Sequence, residues 1–356
     1  MNFRLKEPSH VVSRQEYGRI SSISIPESPP SAKCGGISRK LICTSHIFEL
    51  VFMKAVIAPP RPAEQRMNER ILFMSTTREV RKIVAGSREE DGAGVKLVRV
   101  IGHADVEEFD PFLMLDAFDS RNPDEYIAGF PWHPHRGIET VTYLISGDIE
   151  HGDSLGNKGH ILSGGCQWMT AGSGIIHQEM PQPSERMLGL QLWVNLPRKD
   201  KMARPEYRDI TAARIPKIQE QNATIAVISG SYGEAEGATK GDYVPVLALD
   251  VDLKPGAVWS LPTDPEATAF IYLFEGSGSF GTDGSTDVES HRAVLFGEGS
   301  EFRAKAGMQG IRFMLFTGRP LREPIAWGGP IVMNTREELK QAFAEIDNGT
   351  FIKKAR

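Results

Sequence analysis

From residue 78 onward the chain is a succession of short strand-forming runs, each closed by a turn signal, and this restricts it to an all-β architecture. Val95–Ile101, Glu139–Ile145, Leu190–Leu196, Ala223–Ile228, Val244–Val251, Ala269–Phe274, Ala293–Phe296 and Gly310–Phe316 are apolar runs separated by Gly, Asp and Asn. Strands recurring at such intervals close into sandwiches or barrels. One helix is predicted, at the end: Thr335 and Glu338 form a capping box, and Leu339, Ala342, Phe343 and Ile346 then make a single apolar stripe suited to packing on a barrel. Tyr143-Leu144 followed by Gly147 recurs as Tyr272-Leu273 followed by Gly276, and Ala171-Gly172 recurs as Ala306-Gly307, so the chain reads as two related barrels.

Two doublets carry the chemistry, His133-Pro134-His135 and His177-Gln178-Glu179. Side chains two apart on a strand point the same way, so each doublet offers two donors to one side, and adjacent strands bring four together. The proline stiffens the first pair. Gly172 and Gly174 supply a tight turn ahead of the second. Three imidazoles and a carboxylate suit Fe(II), Mn, Ni, Cu or Zn, and on an octahedral ion they leave two positions for substrate and dioxygen. In the second half the aligned positions are Pro262, Asp264, Phe313 and Leu315, so that barrel has lost its ligands.

Other residues are weighed against this site. On an uninterrupted strand Glu139 shares the side of His135, so it reads as a buried acid behind the ligands, with direct contact to the metal as the alternative. An Arg136–Glu139 ion pair is also expected. His151 and His160 fall in a turn-rich hairpin and read as surface residues. Gln167 to Thr170 reads as a strand with polar members outward and Trp168 and Met169 inward as ordinary core. Cys34, Cys43 and Cys166 form no C-x-x-C pair, and Cys166 reads as a buried inert thiol, so a reducing, cytoplasmic setting fits best.

Charge separates the ends of the chain. Residues 1–66 carry ten Lys/Arg against five Asp/Glu, which leaves the remainder with about ten negative charges and no means of gripping nucleic acid directly. Residues 1–75 read as a disordered extension, an organelle transit segment or translation from a misassigned start upstream of Met74. The apolar stretch Leu41–Ile57 is interrupted by His46, Glu49 and Lys54 and is rejected as a membrane span.

The segments Asp110–Asp116, Phe130–Tyr143, Gln167–Pro181, Gly189–Pro197 and Gly328–Asn334 together resemble the signature segments of the pirin family, which belongs to the cupin superfamily. The resemblance spans about Arg78 to Phe351. Trp132 and Gly165 depart from it, standing where acidic residues are common in the family. It implies a bicupin: a metal-bearing cupin barrel over residues 76–198, a linker over 199–222, and a metal-free cupin-like barrel with a C-terminal helix over 223–356. It also implies Fe(II) held by the positions of His133, His135, His177 and Glu179. The function implied is a dioxygenase of the quercetin 2,3-dioxygenase type, taking dioxygen and a small aromatic or enediol substrate; for that chemistry Glu179 is read here as the catalytic base as well. The alternative it implies is an iron-containing redox-sensing module, a transcriptional co-regulator acting through a protein partner in a nucleus. The oligomeric state is left open.

Overall fold

The computed structural model describes residues 76–353. The expectations for residues 1–75 fall outside that range. Nearly all of the regular structure is strand, arranged as two barrels of cupin type, with a four-residue helix at Val106–Phe109 and a twelve-residue one at Arg336–Asp347. Thr335 caps the latter with the expected box, and its Leu339, Ala342, Phe343 and Ile346 pack on Ile331, Met333 and Phe351. Among the described residues no helix is long and apolar enough to cross a membrane.

The first barrel faces a seven-stranded sheet against a four-stranded one. The second is a single nine-stranded sheet held on two long strands, Thr268–Phe280 and Glu301–Gly318. Its interior is solid: Phe280, Phe296, Phe302 and Phe313 lie edge to face or tilted around one another, with Trp259 against Phe302 and Phe313. Strand pairing corrects the aligned positions: Glu301–Lys305 pairs with Val258–Pro262 as the His177 strand pairs with the His133 strand, so the counterparts of the second doublet lie there and not at Phe313 and Leu315, and Phe302 and Ala304 are fully buried in this filling.

The largest core lies between the barrels. Tyr143, Trp168, Leu188 and Leu190 of the first pack on Ile228, Val246, Phe270, Tyr272 and Phe316 of the second. Both tyrosines of the sequence repeat are there, and the glycines that follow them, Gly147 and Gly276, have φ of +129° and +76°, values that explain why glycine recurs. Tyr143 donates its hydroxyl hydrogen to Asp250 Oδ2 at 2.6 Å, across the barrel boundary, and Arg312 bonds both oxygens of the same carboxylate. Tyr143→Phe is expected to cost about 1.5–3 kcal/mol, because a buried bond to a charged acceptor is lost while Asp250 keeps its arginine. Urea unfolding checks this, and an unchanged midpoint would mean the hydroxyl adds nothing.

The chain does not divide as cleanly as the segment boundaries expected. Strand Val80–Val84 pairs with Arg292–Phe296 in the second barrel. Of the stretch expected as linker, Glu206–Ile210 extends the first barrel's sheet and Lys217–Gln219 edges the second's. The C-terminal strand Ile331–Met333 returns to the first barrel, where Val332 is buried with Met114, Ile138 and Ile175.

Candidate metal centre

Strand Phe130–His135 carries the first doublet and strand Ile175–Pro181 the second; they pair antiparallel with His177 directly opposite His133. Alternation turns His177 and Glu179 inward and leaves Gln178 and Met180 half-buried on the other side. The turn before the second strand needs its glycines. Gly172 and Gly174 have φ of +48° and +134°, and a Cβ at Gly172 would overlap the Ala203 carbonyl.

Three imidazoles converge. The ligand-capable nitrogens of His133, His135 and His177 lie within 4.8 Å of one another, and Nε2 of His133 is 3.0 Å from Nε2 of His135. His133 Nδ1 faces the Pro131 carbonyl at 2.9 Å and His135 Nδ1 faces the Pro330 carbonyl at 3.2 Å. A carbonyl only accepts, so each Nδ1 carries the proton and both Nε2 lone pairs are directed at one another. Two lone pairs at that separation need a cation or a proton between them. His177 is fully buried, and neither of its ring nitrogens has a partner among the described residues. This donor set fits a divalent first-row metal.

Burial lowers the pKa of all three rings, that of His135 and His177 well below the ordinary 6.5. They are therefore neutral, ligand-competent imidazoles near neutral pH. Below about pH 6.5 an unfolded chain takes up protons that these rings refuse, so the stability of the metal-free protein falls as pH drops through that value. Metal occupancy, by contrast, is expected to stay flat from about pH 8 to about pH 6.5, measured by metal analysis after dialysis against a metal buffer. A loss with its midpoint near 6.5 would show the rings titrating as free histidines.

Glu179 stands beside this cluster, not within it. Its Oε1 accepts from Thr142 Oγ1 at 3.2 Å and its Oε2 from Gln191 Nε2 at 2.8 Å, and Thr142 and Gln191 are themselves cross-strand partners. Trp193, two residues on, sets its ring edge against His135 at 5.0 Å. The carboxylate is thus buried and fixed in direction. Thr142, Gln191 and Trp193 were not picked out from sequence, although alternation along their strands from Thr140 and Leu192 would have assigned their faces. Pro330, 195 residues from His135, carries no such signal.

Several expected neighbours lie elsewhere. Glu139 does not face the site: Gly137, at φ +78°, separates its strand from that of His135, so the parity of the first strand is not carried across. It shares the outer face of its strand with Tyr143, accepts from Thr170 Oγ1 at 2.7 Å, and has a pKa raised by burial. Arg136 pairs with Glu345 at 2.7 Å and not with Glu139. Gln167 and Trp168 have the reverse of the expected orientation. Trp168 faces outward into the core between barrels while Gln167 faces inward, because the outer surface of this sheet is covered by the second barrel. His160 is exposed, but His151 is not: it precedes the hairpin turn, sits opposite Glu179, and stacks on Tyr207 at 4.3 Å with its ring 5.4 Å from that of His177. Cys166 is a buried free thiol whose pKa burial raises. Trp132 is partly exposed beside His133, and a side chain at Gly165 would press on the Leu162 carbonyl.

Comparison with known proteins agrees with this architecture. The family description Pirin matches residues 94–194, and Pirin C-terminal cupin domain matches residues 248–352. A pirin-like protein of Caulobacter vibrioides is 44% identical over 278 residues, covering 77% of this chain and 99% of its own. Human pirin is 40% identical over 280 residues, covering 77% of this chain and 94% of its own. A crystal structure of quercetin 2,3-dioxygenase from Acinetobacter baumannii superposes with a TM-score of 0.72 at 32% identity, over 77% of this chain and 98% of that one. Two cupin barrels, three converging histidines in the first and aligned relatives over nearly their full length lead to one conclusion: the chain belongs to the pirin family of the cupin superfamily.

Proposed function

We propose that the protein is a metal-dependent dioxygenase, with Fe(II) as the metal and a flavonol-like or other enediol-type aromatic as substrate. The observation that carries this reading is the convergence of three neutral imidazoles whose outer nitrogens, in His133 and His135, are tied to backbone carbonyls. The similarity to the quercetin 2,3-dioxygenase structure supports the choice of substrate class.

His133, His135 and His177 would hold the ion, with Glu179 completing the set from the same face as His177. When bound, the metal supplies Lewis acidity toward a substrate hydroxyl and the electron chemistry that dioxygen requires. The remaining work falls to the chain. Thr142 and Gln191 aim the Glu179 carboxylate, which takes the proton of the substrate hydroxyl as general base before ring opening. Trp193 fixes the His135 ring from the side and keeps water from that edge. The segments of the second barrel that pair as the two ligand strands do, Val258–Pro262 and Glu301–Lys305, include no imidazole, so one centre per chain is expected.

Anaerobic loading with Fe(II), metal analysis and an oxygen electrode test this. One metal per chain and oxygen uptake dependent on quercetin are expected. Full loading with no uptake on quercetin or related flavonols would overturn the dioxygenase reading and favour a binding role for the centre.

A further inference from the structure

The inner wall of the first barrel carries polar groups that the proposed ligand set does not use. Strand registers place Gln191, Thr142, Gln167 and Asp209 in one row and Trp193, Thr140, Met169 and Tyr207 in the next. Gln191 and Thr142 bond Glu179, Trp193 abuts His135 and Tyr207 stacks on His151, so both rows face the histidines. Gln167 is the lateral neighbour of Thr142, one strand spacing of about 4.8 Å away.

Gln167 is fully buried, and neither its amide oxygen nor its amide nitrogen has a hydrogen-bond partner among the described residues. The hydroxyl of Thr140, also fully buried and diagonal to it on the same face, is equally without one. Leaving such groups unpaired destabilises a fold, and a native site that keeps them pairs them with something else. A primary amide presents one acceptor and one donor side by side. Its complement is an edge with adjacent oxygens able to donate and accept, as in a catechol.

We propose that Gln167, with the Thr140 hydroxyl beside it, is a specificity-determining contact that binds a second oxygen-bearing edge of the substrate, remote from the oxygen that meets the metal. This rests on reading the site as a metal centre for aromatic substrates. Gln167 then sets which hydroxylated aromatics are held in register with Glu179, and takes no part in proton transfer.

The test compares wild-type protein with Gln167→Leu, and with Thr140→Val as a shape-matched second variant, all loaded with Fe(II) under anaerobic conditions. Ligand affinity is followed by tryptophan fluorescence for quercetin, which carries a catechol, and for 3-hydroxyflavone, which keeps the metal-facing hydroxy-ketone but lacks the catechol. Unchanged metal content, an equal or higher Tm, a quercetin Kd raised at least about tenfold in Gln167→Leu and an unaltered 3-hydroxyflavone Kd are expected. Thr140→Val should shift the quercetin Kd in the same direction by less. Equal quercetin binding in wild type and Gln167→Leu overturns the proposal, and so does a Tm lowered by several degrees, which would mark the amide as held by buried water for the sake of the fold. Wild type that binds neither flavonol overturns it as well. Binding is read without turnover, so discrimination between the ligands with a silent oxygen electrode would remove the dioxygenase reading and leave the role of Gln167 standing.

Discussion

Replacing His177 with alanine is expected to abolish stoichiometric metal binding, and with it the oxygen consumption of the proposed reaction, while the barrel still folds. His133 and His135 alone are two imidazoles on one stiff strand, and the third direction of approach comes from the facing strand. Loss even of a group that only orients a ligand costs roughly 10–100-fold in metal affinity, so loss of a ligand itself should exceed about a hundredfold. The fold should survive because the change trades a cavity for the removal of a buried ring with two unpaired nitrogens, partly offsetting costs of about 1–3 kcal/mol on each side. Metal analysis beside a thermal melt separates these outcomes. A variant that retains one tightly bound metal per chain would remove the central premise of the proposed site.

Glu179→Gln should lower turnover by about 10²–10⁴ while metal content stays near that of the wild type. The amide keeps the shape of the carboxylate. Its oxygen can still accept from Gln191 and its nitrogen can donate to the Thr142 hydroxyl, so the polar trio stays intact and three imidazoles remain. What disappears is the ability to take a proton. If metal content instead falls in step with activity, the base role is wrong and the ligand role of Glu179 alone remains.

Much of this was legible in the sequence because strand alternation is a local rule. It assigned one face to His133 and His135 and one face to His177 and Glu179, and the capping box located the final helix. The same rule failed for Glu139 because a glycine at positive φ lies between it and His135, and parity does not survive such a corner. It failed for Gln167 and Trp168 for a different reason. Polar-out, apolar-in assumes that the outer face meets water, whereas here it meets another barrel. His151 was misjudged by its distance from a turn, since the hairpin begins two residues later. The long strand Glu301–Gly318 was recognised only over Gly310–Phe316; its first half, Glu301–Ala306, is set by tertiary pairing with Val258–Pro262 and with the end of Thr268–Phe280. The Pro330 carbonyl that orients His135 belongs to tertiary structure alone.

The two ends of the described chain are exchanged: its opening strand completes the later barrel, and its closing strand lies on the earlier one, where the residue just before it, Pro330, touches a candidate ligand. No single cut therefore releases two whole barrels. Trimming either end wounds the half of the molecule farthest from it in sequence, so removing the half filled with phenylalanine would also take away the segment that holds the histidines of its twin in place.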